Sequence, residues 1–240
     1  MEIIYSKTGS KGNASIISDG KTLIQIDAGI DYKTVNKCSN YRLNDVSGLF
    51  ATHIHQDHIK NLNEYLKLGL SVFANKEVID KVSGKNKIHK IKEIESLSQI
   101  EVGTFKVKPF DVYHVNTDGS DCDNKGFFIY STETKEKMVW ITDAAYIENK
   151  FPALDYICIE CNYIDVDDYS KELEYVNKFV EKRRFNSHLS LSRCIDFLKK
   201  QDLSKIKWIK LLHITETQGN IEQIILSKLH HEFPDIKFII

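Results

Sequence analysis

The chain carries the stretch Thr52-His53-Ile54-His55-Gln56-Asp57-His58, which packs three imidazoles and one carboxylate into six consecutive positions. His53 and His55 are two residues apart, so at the end of an extended strand their side chains point to the same side. Neutral imidazole and carboxylate are the usual ligands of zinc and of other divalent first-row metals. One catalytic zinc needs about three protein ligands and a water. Four candidates in one loop therefore indicate two adjacent metal ions.

The apolar pattern on either side of this stretch predicts alternating strands and helices after an all-strand opening. An apolar run ends at the first histidine, and helical spacing begins at Asp57. The predicted strands are 3–6, 14–18, 22–27, 48–52, 71–74, 88–91, 105–110, 126–131, 137–142, 155–161, 208–212 and 236–240. The predicted helices are 57–68, 169–182, 189–199 and 221–229. The fold class expected from this order is α/β.

Metal-capable residues recur at the tips of the predicted strands. They are His53, Asp143 and His213, together with His114 in the loop predicted after the strand 105–110. Side chains from the same edge of a sheet can converge on one cleft, which is where α/β folds build their sites. We therefore expect these residues to belong to one functional site.

Size and composition fit one large domain over residues 1–240. Hydrophobic residues make up 42% and charged residues 28%, an ordinary composition for a globular protein. The net charge is -1, from 33 basic and 34 acidic residues, whereas a strong nucleic-acid binder usually has a basic excess. A general polyanion-binding surface is therefore disfavoured, and a local basic groove stays open.

The sequence has no apolar run near the ~20 residues of a membrane span. The first residues, Met1-Glu2-Ile3-Ile4-Tyr5, lack the basic start and the long apolar segment of a signal peptide. We therefore expect a cytoplasmic protein with no membrane partner. The five cysteines have no regular spacing and fit free thiols. Cys158 and Cys161 lie three apart on a predicted strand, where they face opposite sides, which argues against a shared metal or a disulfide.

The motif H-x-H-x-D-H, complete in His53, His55, Asp57 and His58, resembles the metallo-β-lactamase fold hydrolase superfamily. Further motifs in matching order resemble the YycJ/WalJ-like branch and its phage relatives, and together the resemblance covers essentially the whole chain. These motifs lie at residues 8–14, 26–29, 142–143, 159–162, 187–190 and 212–215.

The resemblance implies a four-layer αββα sandwich with a dinuclear site along one edge. It implies two divalent metal ions, Zn2+ or Mn2+, because imidazole and carboxylate ligands suit both. The first metal would be held by His53, His55 and His114, and the second by Asp57, His58 and His213. Asp143 would bridge both ions.

The sequence departs from the pattern of the family at three places. Asn61 stands where a glycine is usual after the signature, and Ala145 stands where a glycine often follows the bridging aspartate. Tyr163-Ile164 replaces a His-Asp pair. None of these departures removes a candidate metal ligand, so they concern subfamily and substrate.

His188 is the candidate for the remaining chemistry. It precedes a predicted helix, where it can hold a phosphate oxygen or protonate the leaving alkoxide. The alternative is an ordinary residue at a helix start. Ser187 and Ser190 can cap that helix, and backbone N–H groups at a helix N-terminus favour anions. We predict Asp57 and His188 as catalytic residues and assign His188 and Ser187 to substrate binding.

Two residues in or beside the opening strands can support the site. Asn13, in a glycine-dependent turn, is predicted to contact the substrate. Asp27 can orient a ligand histidine, or it can simply cap the turn at Gly29.

The resemblance predicts a metal-dependent phosphodiesterase acting on nucleic acid or nucleotides. Two metals about 3.5–4 Å apart can share a hydroxide and clamp a phosphoryl oxygen. Three alternatives stay open. The first is a 3′,5′-cyclic nucleotide phosphodiesterase of the phage anti-Pycsar type, for which a homodimer that shapes the substrate pocket is also open. The second is a lactonase or thioesterase. The third, a binding module with a vestigial metal site, is disfavoured because the ligand set is complete.

Overall fold

The computed structural model describes residues 1–82, 91–116, 118–165, 187–215 and 220–240. Within these ranges the chain forms two β-sheets with helices and divides into two compact units. Unit 1 comprises residues 1–111 and 123–136, and unit 2 comprises residues 112–122 and 137–240. The single domain expected over residues 1–240 stays a prediction.

The first sheet lies in unit 1 and contains six strands in chain order. These are β1 (Glu2–Lys7), β2 (Ala14–Ser18), β3 (Leu23–Ile26), β4 (Val46–Phe50), β5 (Val72–Ala74) and β6 (Ile91–Glu93). Strands β1 to β3 pair antiparallel, and β3 to β6 pair parallel. Every residue of β2 and β3 is buried, the pattern of strands that are covered on both faces.

The helices of unit 1 pack their apolar faces into one core. They are α1 (Tyr32–Cys38), α2 (Gln56–Ile59), α3 (Leu62–Lys67) and α4 (Lys76–Val82), and a 3-10 turn spans Arg42–Asp45. Val35, Leu62, Leu66 and Val78 belong to the same buried cluster as Leu49 of β4. This burial removes apolar side chains from water and fixes the helices on either side of the histidine stretch.

The single helix predicted over 57–68 is wrong, because the chain forms the two short helices α2 and α3. A continuous helix would bond the N–H of Asn61 to the carbonyl of Asp57. Instead the N–H of Asn61 donates to the carbonyl of Ala28 at 2.9 Å. The carbonyl of Asp57 accepts from the N–H of Asn13 at 2.7 Å. Tertiary hydrogen bonds thus replace the helical one, and Asn61 starts the second helix.

The second sheet contains seven strands. They are β7 (Ile100–Val102), β8 (Phe105–Val115), β9 (Asp121–Ser131), β10 (Lys137–Ile141), β11 (Tyr156–Glu160), β12 (Trp208–Leu212) and β13 (Phe238–Ile239). In unit 1, β7 pairs antiparallel with β8. In unit 2, β10 to β13 are consecutive neighbours and pair parallel.

His114 lies inside strand β8, so the prediction that it lies in a loop after the strand is wrong. The strand continues because its burial alternates to the end, with Val112 and His114 buried and Tyr113 exposed. The carbonyl of Tyr113 also accepts the N–H of Ala145 at 2.9 Å, which supplies a backbone partner for the extension. A histidine at a buried position thus interrupts the apolar pattern without ending the strand.

The helices predicted over 189–199 and 221–229 are confirmed in unit 2. They are α5 (Leu191–Lys199) and α6 (Ile221–Glu232). Ser190 caps α5, since its hydroxyl accepts from the N–H of Arg193. The predicted helix 169–182 lies outside the described residues, as do residues 88–90 of a predicted strand. All five cysteines are free thiols, as expected. In the part of the chain that the structure describes, no helix has the length and apolar content needed to cross a membrane.

Candidate metal centre

Backbone hydrogen bonds position the residues that lead from the first sheet into the histidine stretch of unit 1. Beyond the end of β4, the N–H of Ala51 donates to the carbonyl of Phe73 at 2.9 Å. The carbonyl of Thr52 accepts from the N–H of Lys125 at 3.0 Å. His53 therefore follows two residues whose position is fixed by neighbouring strands, and it is fully buried.

The three imidazoles of this stretch cluster together. The ring centroid of His53 lies 4.7 Å from that of His55 and 4.1 Å from that of His58. The carboxylate of Asp57 approaches His58, with Oδ2 3.5 Å from Nε2. Helix α2 begins at Gln56, so Asp57 and His58 lie in its first turn, as the sequence predicts.

Asp27 holds the stretch from the end of β3. Its carboxylate accepts from the backbone N–H of Thr52 at 2.8 Å and from the Thr52 hydroxyl. Its Oδ2 lies 2.7 Å from Nδ1 of His58. An acidic partner on one ring nitrogen fixes the orientation of a histidine, and for His58 the other nitrogen, Nε2, is then the one that would bind a metal. The contact with a histidine predicted for Asp27 is therefore present.

Asn13 contacts two of the predicted ligands in unit 1. Its side-chain amide lies 3.2 Å from Asp57 Oδ2 and 3.0 Å from His58 Nε2. The loops approach so closely that a Cβ at Gly29 would lie 1.6 Å from the carbonyl oxygen of Asp57. Only glycine fits this approach, because any side chain there would overlap the backbone.

Unit 2 contributes a group whose members are far apart in sequence. Asp143, Glu160, His188 and His213 each offer one ligand atom, and these atoms lie within 4.8 Å of one another. Asp143 follows β10 and His213 follows β12, and both have a φ of 51°. A left-handed backbone is uncommon outside glycine and is found where a structure needs a particular side-chain direction. The two strand ends thus present a carboxylate and an imidazole to the same place.

The imidazole of His213 lies between two carboxylates. Its Nδ1 is 2.7 Å from Asp143 Oδ1 and 3.3 Å from Glu160 Oε1. Burial alone lowers the pKa of His213, but the charge and hydrogen bond of Asp143, followed by those of Glu160, raise it to about 10. On the other side of Asp143, His114 Nε2 is 4.0 Å from Oδ2.

Glu160 is a functional candidate that the sequence reasoning missed. It ends β11 and is fully buried, and its Oε2 accepts from the N–H groups of Ala144 and Leu189 at 2.8 and 3.1 Å. Burial alone raises the pKa of Glu160, but the charge and hydrogen bond of His188 lower it overall. One signal in the sequence is that this acid directly follows the apolar run 156–159.

His188 is bound by Glu160, with Nδ1 2.7 Å from Oε1. Its side chain is 21% exposed, so the ring is accessible to a ligand. The His188 ring centroid lies 5.0 Å from that of His213 and 6.0 Å from that of His114. Ser187 is buried, and its carbonyl oxygen accepts from His114 Nδ1 at 2.9 Å. The backbone of Ser187 therefore orients a predicted metal ligand.

These donor sets fit divalent metal ions. In unit 2, the carboxylates of Asp143 and Glu160 are 2% and 0% exposed. Two buried negative charges need compensating cations. Imidazole nitrogens and carboxylate oxygens are also the donors that such ions prefer. In unit 1, the three imidazoles and Asp57 offer the same donor types.

Comparison with known proteins assigns the family. Residues 22–209 match the pattern of the beta-lactamase superfamily domain. The chain belongs to the β-lactamase superfamily. This membership confirms the resemblance to the metallo-β-lactamase branch that the histidine motif indicated, and with it the α/β sandwich class.

Three similar proteins show how far the likeness extends. The exodeoxyribonuclease YycJ of Bacillus anthracis is 27% identical over 155 residues, which span 60% of this chain and 54% of that protein. Zn(2+)-bound PqqB from Methylobacterium extorquens has a TM-score of 0.72 at 13% identity, covering 99% of this chain and 96% of that one. The metallo-β-lactamase fold protein YhfI from Bacillus subtilis has a TM-score of 0.70 at 16% identity, covering 99% and 93%. The last two likenesses show the fold.

All seven predicted ligands lie among the described residues. Four of them cluster in unit 1 and three in unit 2, and their division between two metals stays a prediction. Those of unit 1 are His53, His55, Asp57 and His58, and those of unit 2 are His114, Asp143 and His213.

Proposed function

We propose that the chain is a metal-dependent phosphodiesterase of the nuclease-like type, which hydrolyses phosphodiester bonds of nucleic acid. The observation that carries the proposal is the partly exposed imidazole of His188, held by the buried carboxylate of Glu160 beside Asp143 and His213. A proton donor next to buried metal-type ligands suits the cleavage of a phosphate ester. The name of the Bacillus anthracis relative, an exodeoxyribonuclease, supports the same class.

The family resemblance supplies the metal assignment in this proposal. By that resemblance, one ion would be held by His53, His55 and His114 and the other by Asp57, His58 and His213, with Asp143 as a ligand of both. When bound, two divalent cations activate water and offset negative charge on the phosphoryl group. We propose Zn2+ or Mn2+. Zinc draws support from the Zn(2+)-bound PqqB structure, which shares the fold.

The side chains around the ions have distinct roles. With Nδ1 engaged by Glu160, His188 keeps Nε2 to hold a phosphate oxygen or to give a proton to the leaving alkoxide. Asp57 acts in catalysis as a metal ligand. Asn13 turns one donor toward Asp57 and so orients this carboxylate. Substrate contacts by Asn13 and Ser187 stay predictions.

The second candidate is hydrolysis of 3′,5′-cyclic nucleotides, as in the phage anti-Pycsar type. A net charge of -1 favours a small substrate over a long polyanion. A homodimer would belong to this alternative, and light scattering of the purified chain tests it. Lactone or thioester hydrolysis stays a third candidate. A cytoplasmic location stays a prediction.

One chromatographic assay tests the proposal. Protein loaded with zinc or manganese receives 3′,5′-cyclic nucleotides, 5′-phosphorylated single-stranded DNA or RNA, or duplex DNA, each in a separate reaction. Mononucleotides or short products from the polymers support a nuclease. Linear monophosphates from the cyclic substrates alone support the second candidate. Inert phosphodiesters throughout overturn both. His231→Ala, an exposed histidine of α6, serves as the control for a non-site histidine.

A further inference from the structure

Two tyrosines of unit 2 stack on each other at the surface. The ring centroids of Tyr113 and Tyr146 are 4.8 Å apart with an angle of 24° between the ring planes. Although each ring covers part of the other, the residues stay 42% and 46% exposed. Packing alone does not explain the pair, because buried aromatic area is what stabilises a core and these rings leave much of theirs in water.

The backbone holds the pair in place. Tyr113 and Tyr146 form an isolated antiparallel bridge, and the carbonyl of Tyr113 accepts the N–H of Ala145 at 2.9 Å. The backbone of the two residues is therefore positioned by a main-chain hydrogen bond, and the stacked contact orders the two rings. A fixed aromatic surface binds a flat ligand at low entropic cost, because its side chains are already ordered.

The pair lies beside two predicted metal ligands. Tyr113 directly precedes His114, and Tyr146 follows Asp143 by three positions. Side chains alternate along β8, so the ring of Tyr113 faces solvent while that of His114 faces the buried side. A flat group stacked on Tyr113 would thus lie outside the pocket of the ligands and close to it.

A cationic group accompanies the aromatic pair. Nη1 of Arg193, in the first turn of α5, donates to the carbonyl of Ala145 at 2.6 Å, next to Tyr146. Aromatic rings that stack bases, placed near positive charge that attracts phosphate, are the combination by which proteins bind single-stranded nucleic acid.

We propose that Tyr113 and Tyr146 form a stacking platform for a nucleobase of single-stranded nucleic acid, next to the scissile phosphate. This inference rests on the proposed function. The platform serves a polymer because it lies outside the ligand pocket. A cyclic mononucleotide has one base, attached to the phosphate that is cleaved, whereas a strand continues with further bases. The pair therefore determines specificity for strands over mononucleotides.

The test compares an oligonucleotide with two substrates that lack nucleobases. Metal-loaded protein hydrolyses oligothymidine, an abasic oligomer of equal length, and bis(p-nitrophenyl) phosphate. We expect the double variant Tyr113→Ala/Tyr146→Ala to raise KM for oligothymidine roughly tenfold or more. The constants for the abasic and p-nitrophenyl substrates should stay at wild-type values. The double phenylalanine variant should retain the wild-type KM, since it keeps both π faces. Tyr41→Ala, an exposed tyrosine of unit 1, is the matched control.

Binding separates this proposal from the phosphodiesterase proposal. Anisotropy of a labelled phosphorothioate oligothymidine reports affinity without turnover. Wild-type binding that the double alanine variant loses supports the platform even where every phosphodiester stays inert. Equal affinity and equal KM in wild type and double alanine variant would overturn it. An equal rise of KM for cyclic nucleotides would also overturn it, because the base would then stack within the ligand pocket. Thermal unfolding of the single variants controls for folding.

Discussion

The two groups of candidate ligands are built in opposite ways. In unit 1 the ligands lie within six consecutive positions and are held by contacts with other segments, such as the bond from Asn13 N–H to the carbonyl of Asp57. In unit 2 they come from separate strands, and Asp143 and His213 contact each other directly. Local sequence therefore encodes the first group, and only the fold assembles the second.

Removing a ligand from each group gives the largest expected effect. We predict that His55→Ala and Asp143→Ala both abolish phosphodiester hydrolysis while the fold is retained. The metal content should differ, because the bridging carboxylate serves both ions. Mass spectrometry of metals should find about one ion in His55→Ala and almost none in Asp143→Ala, if two metals are bound as proposed. Full activity in either variant would contradict the two-metal mechanism, and so would full activity in Asp57→Ala.

The proton-donor pair of unit 2 gives the next largest effect. His188→Gln should lower kcat by about 10²- to 10⁴-fold on a strand, the usual contribution of general acid catalysis. The loss should be smaller on a p-nitrophenyl ester, whose leaving group needs no proton. Glu160→Gln should show the same leaving-group dependence with a smaller loss, since the amide keeps an acceptor for His188. Glu148→Gln, an exposed acid, is the control. Equal losses on both substrates would assign His188 to binding instead.

The same contrast explains what the sequence predicted. The spacing of His53, His55, Asp57 and His58 carries their geometry, so the cluster follows from the motif alone. Strand ends predicted Asp143 and His213, because the parallel strands β10 and β12 present their tips at one edge. His114 was also predicted as a candidate, although it lies inside β8 rather than beyond the end of the strand.

Contacts between distant segments could not be predicted from local patterns in the sequence. Glu160 lies in the motif at residues 159–162, but no local feature of the sequence reveals that it meets His188 across 28 positions. The break between α2 and α3 depends on carbonyls supplied from another loop. The apolar periodicity over 57–68 carries no information about hydrogen-bond partners from another loop, so it predicts a single helix.

Removing the support of the histidine stretch should have an intermediate effect. Asp27→Asn keeps the shape and tolerates the left-handed backbone of this position, where φ is 61°. It removes the charge that orients His58 through a 2.7 Å contact. We expect metal affinity to fall roughly 10- to 100-fold, the usual cost of losing such an outer partner. Titration with a competing chelator measures this, and Asp45→Asn, an exposed acid of unit 1, is its control. Unchanged affinity would mean that the loop backbone alone positions His58.

The smallest effect on the two groups of candidate ligands should come from a substitution in a polar cluster around Asp19, which contacts neither group. Asp19 is buried in unit 1, where its carboxylate accepts from Ser131 and Thr104 hydroxyls at 2.6 Å and from the N–H groups of Lys21 and Thr22. Burial alone raises the pKa of Asp19, but these hydrogen bonds lower it overall. Asp19→Asn should therefore cost about 1–3 kcal/mol of unfolding free energy at neutral pH and leave metal affinity unchanged.

The pH dependence of that cost follows from the direction of the shift. A carboxyl whose folded pKa lies below its unfolded value of about 3.9 contributes its full stability above that value. This contribution is lost as the pH falls through the lower folded pKa. Urea unfolding of wild type and Asp19→Asn should thus differ at neutral pH and converge in acid, with Asp80→Asn, exposed on α4, as the control. A constant difference down to acid pH would mean that the amide disturbs packing rather than removing a charge. Altered metal affinity would mean that the histidine stretch depends on the stability of the whole unit, which would remove the contrast between the two groups.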